Sequence, residues 1–208
     1  MSEPLLKLKK GIEVQRVVHK EIYGENNLIV DLIELPCEED WMEVKRRALV
    51  TVGLNPINAP DDEWKKKILE CRHSPIRRLR FSFALYNLPY YISVHFVRHH
   101  VGIEKYVRSQ RNDRQSDYDR TKAPQDAPVN MIMDFNGESL LEFFNKRLCG
   151  CAAKETREVV QLMAMLVKEN CPEFVDFIEP MCFRNGGVCH EMKCCGKFAE
   201  YKKRSLQE

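Results

Sequence analysis

The sequence predicts an α+β protein, with an antiparallel or mixed sheet against which helices pack. Two patterns point to this class. Strand-like runs of apolar residues occur at 12–19, 28–35 and 79–85, whereas apolar residues at helical spacing dominate residues 137–170. Strands followed by helices, rather than a regular alternation of the two, are typical of α+β domains.

The N-terminal third predicts a hairpin followed by two helices. Residues 12–19 and 28–35 are rich in Val, Ile and Leu, and the segment Gly-Glu-Asn-Asn at 24–27 has the composition of a turn. Residues 38–50 carry apolar side chains at helical spacing. A second helix is expected to begin at Asp61 or Asp62, since aspartate is a favoured N-cap residue.

The middle of the chain predicts a strand, a short helix and a long loop. Residues 79–85 alternate between apolar and polar side chains, as a strand buried on one face does. Asn-Leu-Pro at 87–89 is expected to end that strand, and residues 90–100 predict a short helix. Residues 101–130 are polar and contain prolines, which favours a loop with room for a helix at its start.

The C-terminal part predicts two helices and a cysteine-rich segment. One helix is expected to begin near Gly137 with Ser139 as its cap, and a second is expected from 152 to 170. The remainder is rich in Pro, Gly and Cys. We therefore expect one domain over residues 1–197, with a cysteine-rich segment at 171–197, and a charged tail at 198–208.

Length and composition exclude several classes of protein. The chain has 208 residues, of which 44% are hydrophobic, enough for one substantial core. No apolar run approaches the ~20 residues needed to cross a bilayer. The charged start resembles no export signal, so a cytoplasmic location without a membrane partner is expected.

The charge distribution suggests an anionic ligand. Residues 72–120 contain ten basic and four acidic residues, a net charge of +6, whereas the rest of the chain contains 23 basic and 27 acidic residues, −4. Such a segment suits phosphate esters or nucleic acid, and a solvated charged surface is the simplest alternative. The segment lacks regularly interleaved aromatic residues for base stacking, which disfavours a nucleic-acid partner.

Two short motifs within this segment could bind phosphate. The first is Arg98-His99-His100, and Ser109-Gln110-Arg111 follows after eight residues. Guanidinium groups make bidentate contacts with phosphate, and imidazoles add donors that titrate near neutral pH. By themselves, adjacent histidines are also common in purely structural roles.

Together with two further segments, these motifs resemble the flavin-dependent thymidylate synthases. The family signature is Arg-His-Arg followed by a spacer and a serine, commonly as Ser-x-Arg. Upstream, Arg-His-Ser-Pro-Ile-Arg-Arg at 72–78 and Phe-Ser-Phe at 81–83 stand at the family's spacing. Downstream, residues 147–157 keep two arginines, an alanine and a glutamate in register with the family's helix pattern.

The resemblance implies a reaction and its cofactors. Members of this family convert dUMP to dTMP, taking a one-carbon unit from methylenetetrahydrofolate and electrons from NADPH through FAD. It also implies a homotetramer, with flavin and nucleotide bound at subunit interfaces.

Carried over by position, the resemblance assigns residues to each ligand. The flavin site would contain Ser74, near the phosphates, with Arg98, His99, His100 and Arg147. The substrate site would contain His95, Ser109, Gln110, Arg111 and Arg157. Two residues are assigned to the reaction itself, Arg157 and Ser109. Arg157 would face the uracil. Ser109 would position the substrate rather than act as a nucleophile, because the sequence shows no adjacent base to activate its hydroxyl.

Several positions depart from the family pattern. The third signature residue is His100 rather than Arg, and Val107 replaces the acidic residue expected before the serine. Arg77 replaces an upstream acid, and Cys151 stands where Asn or His is usual. These departures fit a divergent, phage-like branch. They leave open a different one-carbon product and a flavin- and nucleotide-binding relative without turnover. The alternative from another class is a nucleic-acid-binding module that uses the basic segment 72–120 and a C-terminal zinc site.

Nine cysteines form a separate signal. In a reducing compartment they are expected to be free thiols or metal ligands rather than disulfides. Cys182, Cys189, Cys194 and Cys195 are close enough in sequence to bind zinc. Their spacing matches no standard zinc knuckle, so free or redox-active thiols remain the alternative.

Overall fold

A computed structural model describes residues 15–23, 26–114 and 119–205 and confirms the α+β class. In this part of the chain, five antiparallel strands form one sheet in the order β1-β2-β3-β5-β4. The strands are β1 (Gln15–Tyr23), β2 (Asn26–Glu34), β3 (Arg80–Pro89), β4 (Ile103–Val107) and β5 (Pro128–Asn136). The α-helices are α1 (Glu38–Val50), α2 (Asp62–Cys71), α3 (Tyr90–Val97), α4 (Gly137–Arg147), α5 (Lys154–Asn170), α6 (Met181–Arg184) and α7 (Lys197–Ser205).

The N-terminal elements follow the prediction closely. β1 and β2 pair as an antiparallel hairpin, and α1 has the bounds expected from its apolar spacing. Residues 24 and 25 of the predicted turn lie outside the described residues. Asp61 caps α2, because its side chain accepts a hydrogen bond from the backbone N–H of Trp64 at 2.8 Å.

Strand β3 is longer and more buried than predicted. The break expected at 87–89 is wrong, because the strand continues to Pro89 through an irregularity between Leu85 and Leu88. Asn87 adopts a left-handed φ of 58° there. Ser82 and Ala84, on the face expected to be exposed, are also buried, since β3 lies in the centre of the sheet.

The loop predicted over 101–130 is wrong at both ends. Residues 103–107 form β4, an edge strand of five residues, which is too short to show a clear alternation of apolar and polar side chains. From Pro128 the chain forms β5, where buried and partly exposed residues alternate. Val129, Met131, Met133 and Phe135 supply that period-two signal, which the neighbouring prolines obscure.

Helix α4 begins directly from β5. Its N-cap is Asn136, the last residue of the strand, rather than Ser139. The Asn136 side chain accepts from the backbone N–H of Ser139 at 2.9 Å, and the Ser139 hydroxyl accepts from the backbone N–H of Asn136. A Cβ at Gly137 would lie 2.7 Å from the backbone oxygen of Ile76, so only glycine allows this junction.

The core lies between the sheet and the helices. Phe83 and Phe135 from the sheet pack edge to face, and Phe143 of α4 contacts Phe135 and Phe96. Helix α5 packs against β1 and β2. Aromatic side chains that are fully buried therefore connect the sheet to α3 and α4, which fixes the position of both helices.

The C-terminal segment folds back onto the helices. Phe183 of α6 packs edge-on against Phe198 of α7, with ring centroids 5.2 Å apart. The charged tail expected after residue 197 thus contains helix α7. The domain division at 197 stays a prediction. In the part of the chain described, no helix has the length and apolar character needed to cross a membrane.

The cap of α2 provides a stability test. Replacing Asp61 with alanine removes the acceptor for the Trp64 N–H and should lower the free energy of unfolding by about 1 kcal/mol. Asp61→Asn, which caps equally well, should recover most of that loss. Urea denaturation of the three proteins measures it, and equal stability of Asp61→Ala and wild type would contradict the assignment.

Candidate functional site

A cavity of about 930 Å³ opens where α3 ends, β4 begins and α4 runs alongside. This volume lies at the upper end of the range typical of ligand pockets. Its lining combines the arginine–histidine motif, the exposed side of α4 and the turn after α4. The lining residues are Arg77, Arg98, His99, His100, Val101, Gly102, Ile103, Asn136, Glu138, Ser139, Glu142, Phe143, Lys146, Arg147, Cys149, Cys151, Ala152 and Glu191.

The central contact of the cavity joins two of the sequence motifs. Arg147, at the end of α4, donates from Nε to Nε2 of His99 at 2.6 Å. Its terminal nitrogen also donates to the backbone oxygen of His95 at 2.9 Å. Two hydrogen bonds to α3 and the residues after it therefore fix the direction of the guanidinium group.

His99 is held as a neutral imidazole. Burial and the nearby charge of Arg147 lower its pKa from 6.5 to about 4, with smaller effects from Lys105, His100 and Lys146. Because Nε2 accepts a hydrogen bond, the remaining proton belongs on Nδ1. The ring also packs edge-on against Phe143, with centroids 5.1 Å apart.

Beneath this contact, His95 is tied to α5. Its Nδ1 lies 2.6 Å from the hydroxyl of Thr156, a fully buried side chain. Among the described residues, the cavity lining does not include His95. Its backbone oxygen supports Arg147, so the geometry gives His95 a positioning role in this chain.

The cavity carries charges of both signs. Arg98, Lys146 and Arg147 are basic, whereas Glu138 and Glu142 are acidic. Arg77, which replaces an acidic residue of the family pattern, forms an ion pair with Glu138. Burial and the like charge of Arg98 lower the pKa of Arg147.

The Ser109-Gln110-Arg111 motif lies away from the cavity lining. Ile103, the first residue of β4, lines the cavity, whereas Val107 ends the strand roughly 13 Å away at ~3.3 Å per residue. Ser109 and Arg111 are exposed beyond that end. Arg111 forms two hydrogen bonds with Asp113, at 2.9 and 2.6 Å.

Ser74 lines a different groove, of about 560 Å³, together with Arg47, Thr51, Arg72 and His73. Arg72 donates to the buried Asn145 at 2.8 Å, and its Nε is buried without a partner among the described residues. Burial lowers the pKa of Arg72 to about 10. The structure therefore places Ser74 in a basic groove separate from the Arg98 cavity of the same chain.

Arg157 supports the turn between α4 and α5. Its guanidinium donates to the backbone oxygens of Gly150 and Ala152, at 3.3 and 2.9 Å. The same turn contributes Cys149 and Cys151 to the cavity lining. In this chain, the contacts of Arg157 hold the turn that borders the cavity.

The cysteines that lie close together in the structure are not the four predicted to bind zinc. Among the described residues, the group of potential metal ligands is Cys149, Cys151 and Cys195, whose sulfurs lie within 4.8 Å of one another. Only Cys195 belongs to the predicted set. Cys182, Cys189 and Cys194 lie outside this group of three.

Several residues that line the cavity were not identified by the sequence motifs, although their spacing on α4 is regular. Glu138, Glu142 and Lys146 stand four residues apart on α4, a spacing that puts them on one helix face. This face of α4 can be recognised as cavity lining only after Arg147, at the end of the same helix, has been placed in the cavity. Cys149 and Cys151 join Cys195 from a distant part of the sequence, so local spacing could not reveal the group.

Comparison with solved structures identifies the fold. The fold matches a UMP/dUMP methylase, PolB from Streptomyces cacaoi bound with 5-Br dUMP, with a TM-score of 0.57 at 12% identity over 74% of this chain and 97% of that one. It also matches thymidylate synthase X (ThyX) from Helicobacter pylori with FAD and dUMP, with a TM-score of 0.56 at 13% identity over 72% and 96%.

The family comparison agrees with this fold. Residues 116–173 match the family model described as thymidylate synthase complementing protein. A search of curated proteins finds no match. The resemblance to the flavin-dependent thymidylate synthase family is thereby confirmed, and the fold is similar to those of the two solved proteins.

The neutral state of His99 predicts a pH dependence of stability. Between pH 6.5 and about 4 the unfolded chain takes up a proton that folded His99 does not, so the free energy of unfolding falls as the pH falls through this window. For this half-buried group we expect a loss of about 1–2 kcal/mol, reduced by solvent screening.

The variant His99→Gln isolates this contribution. Its side-chain oxygen can still accept from Arg147, but it binds no proton in this range, so its stability should fall less steeply with acidification. His190→Gln, at an exposed histidine, is the matched control. Urea denaturation at several pH values measures the slopes, and identical slopes for His99→Gln and wild type would contradict the neutral assignment.

Proposed function

We propose that the protein is a flavin-dependent thymidylate synthase, which methylates dUMP to dTMP with methylenetetrahydrofolate and NADPH as cosubstrates. The observation that carries this proposal is the contact between Arg147 and His99. It joins the arginine–histidine signature to the downstream helix motif in one cavity of ligand size. The same fold occurs in a protein with FAD and dUMP bound.

The chemistry of the cavity suits FAD. Arg98, Lys146 and Arg147 supply positive charge for a diphosphate, and the half-buried imidazole of His99 lies beside them. FAD, when bound, supplies the hydride for the reaction. The protein's part is to hold the flavin and the nucleotide in reacting geometry, which is why a rigidly held Arg147 matters.

Neutral His99 is essential to this arrangement. An imidazolium would have no lone pair to accept from Arg147 and would repel its charge. By accepting, His99 directs the guanidinium group while leaving its full positive charge for an anionic ligand. The lowered pKa of His99 thus serves ligand binding at the cost of stability in acid.

The distance between the two phosphate-binding motifs supports an assembly. Ser109, Gln110 and Arg111 lie beyond the far end of edge strand β4, away from the Arg98 cavity. Val101 and Tyr106, which flank and belong to this strand, are 82% and 59% exposed, an apolar surface suited to another copy. We infer a homotetramer in which Ser109–Arg111 of one subunit complete the site of another.

Within such a site, the substrate roles assigned from the sequence remain available. Arg111 would exchange its contact with Asp113 for the nucleotide phosphate, and Gln110 and Ser109 would bind the phosphate and sugar. Arg157 would face the uracil from the turn that it supports. Ser74 would approach the flavin phosphates from the Arg72 groove of another subunit.

Binding and turnover of the purified protein test the flavin proposal. Wild type should bind FAD, and dUMP should allow folate-dependent oxidation of the reduced flavin. Arg147→Ala should weaken FAD binding by about 10–100-fold, the effect of losing charge-assisted hydrogen bonds. Arg46→Ala, at an exposed arginine on α1, is the matched control and should bind normally.

Assays of ligand binding and turnover also distinguish the proposed function from its alternatives. Assays with UMP beside dUMP identify the preferred sugar, since a protein of this fold is described as a UMP/dUMP methylase. FAD binding without product would support the non-catalytic relative. Protein that binds single-stranded DNA in a salt-dependent manner, yet neither FAD nor dUMP, would refute the proposal.

Mixing two inactive variants tests the shared site. Arg147→Ala removes the flavin half and Arg111→Ala the nucleotide half, so each homotetramer should be inactive. After the two are unfolded and refolded together, mixed tetramers should contain some sites with both halves intact and regain part of the activity. Absence of recovery, in tetramers shown by mass spectrometry to be mixed, would place both halves in one chain.

A further inference from the structure

We propose that Cys149, Cys151 and Cys195 bind a structural zinc ion, with Cys182 as the fourth ligand. This site borders the flavin cavity, whose lining includes Cys149 and Cys151, and lies where the C-terminal segment meets the turn between α4 and α5. It rests on four observations, which are independent of the proposed reaction.

The first observation is the spacing of the sulfur atoms. The sulfurs of Cys149, Cys151 and Cys195 lie within 4.8 Å of one another. Around tetrahedral zinc, with Zn–S bonds of ~2.3 Å, ligand sulfurs are separated by roughly 3.8 Å. The three atoms therefore need only small side-chain adjustments to share one ion, and all three cysteines are free.

The second observation is a set of backbone N–H groups directed at sulfur. The N–H of Cys151 donates to the sulfur of Cys149 at 3.5 Å. Nearby, the N–H of Gly196 donates to Cys194 at 3.4 Å. Such donors stabilise a thiolate, the form that ligates zinc, and contribute little to a neutral thiol.

The third observation is a glycine that the close approach requires. Gly150 stands between Cys149 and Cys151, and a Cβ at this position would lie 2.9 Å from the Cys195 sulfur and 3.1 Å from its Cβ. Any other residue would push the C-terminal segment away from the turn. The sequence Cys-Gly-Cys thus lets a third cysteine reach the other two.

The fourth observation concerns the remaining cysteines. Cys182 is buried on α6, and its neighbour Phe183 packs against Phe198, three residues after Cys195. Cys189 is only partly buried, and Cys194 is exposed. Cys182 is therefore the better fourth ligand, and four thiolates give the closed coordination of structural zinc sites.

Other contacts at this junction show what the metal would stabilise. Lys197 donates to the backbone oxygen of Leu148 at 3.2 Å, and Arg157 holds the oxygens of Gly150 and Ala152. The Cys151 thiol donates to the oxygen of Lys193 at 3.2 Å, a bond that metal binding would replace. Zinc would thus fasten the C-terminal segment to the turn that follows Arg147.

Metal analysis of the full-length protein tests the proposal. Protein purified without chelators should contain about one zinc per chain, released when a mercurial reagent titrates the thiols. The cobalt-substituted protein should show the sulfur-to-cobalt charge-transfer bands of tetrahedral thiolate coordination. Metal-free protein with all nine thiols reactive, or an intact mass that reveals disulfides within the group, would overturn the proposal.

Variants identify the ligands. Cys149→Ser, Cys151→Ser and Cys195→Ser should each lose the zinc, whereas Cys71→Ser, at an exposed cysteine on α2, should retain it. Loss of zinc from Cys182→Ser but not from Cys189→Ser supports the fourth ligand, and the reverse overturns that assignment. Since variants can fail to fold, a drop in the melting temperature of wild type on adding a zinc chelator serves as a second measurement, and no drop counts against the site.

Discussion

The hydrogen bond from Arg147 to His99 is the interaction on which the rest of the site depends. It requires a neutral imidazole next to a cation, which is stable only because burial opposes protonation of the ring. Phe143 supports the ring from one side, and the same phenylalanine belongs to the aromatic core formed with Phe96 and Phe135. The direction of one guanidinium group is thus set by the packing between the sheet and α4.

The strand order explains why the residues assigned from sequence do not meet in one cavity of this chain. β5 inserts between β3 and β4, so β4 becomes the outer strand and carries the Ser109–Arg111 segment to the margin of the molecule. The Ser74 groove lies apart from the Arg98 cavity for a related reason, since its residues come from the ends of α1 and α2. The residues assigned to the ligands from sequence therefore lie at three separate places in the described part of the chain.

The elements predicted well from sequence are those specified by local interactions. The spacing of Trp41 and Val44 indicated α1, and Asp61 indicated the start of α2. β4 escaped prediction because its five residues are too few to show an alternation, and β5 because prolines obscured its alternation. For the site, the family resemblance identified Arg98, His99 and Arg147, but no local pattern contains the bond between them. Likewise, the approach of Cys195 to Cys149 depends on the path of the whole C-terminal segment.

The junction at Asn136 has a consequence for how the cavity wall moves. Strand β5 becomes helix α4 without an intervening loop, and Gly137 donates its backbone N–H to Leu79 at 3.0 Å beside β3. A helix joined in this way has no hinge of its own, so α4 opens only when the adjoining sheet also opens. Its central amide hydrogens should therefore exchange with solvent as slowly as those of β5, as part of the same cooperative unit.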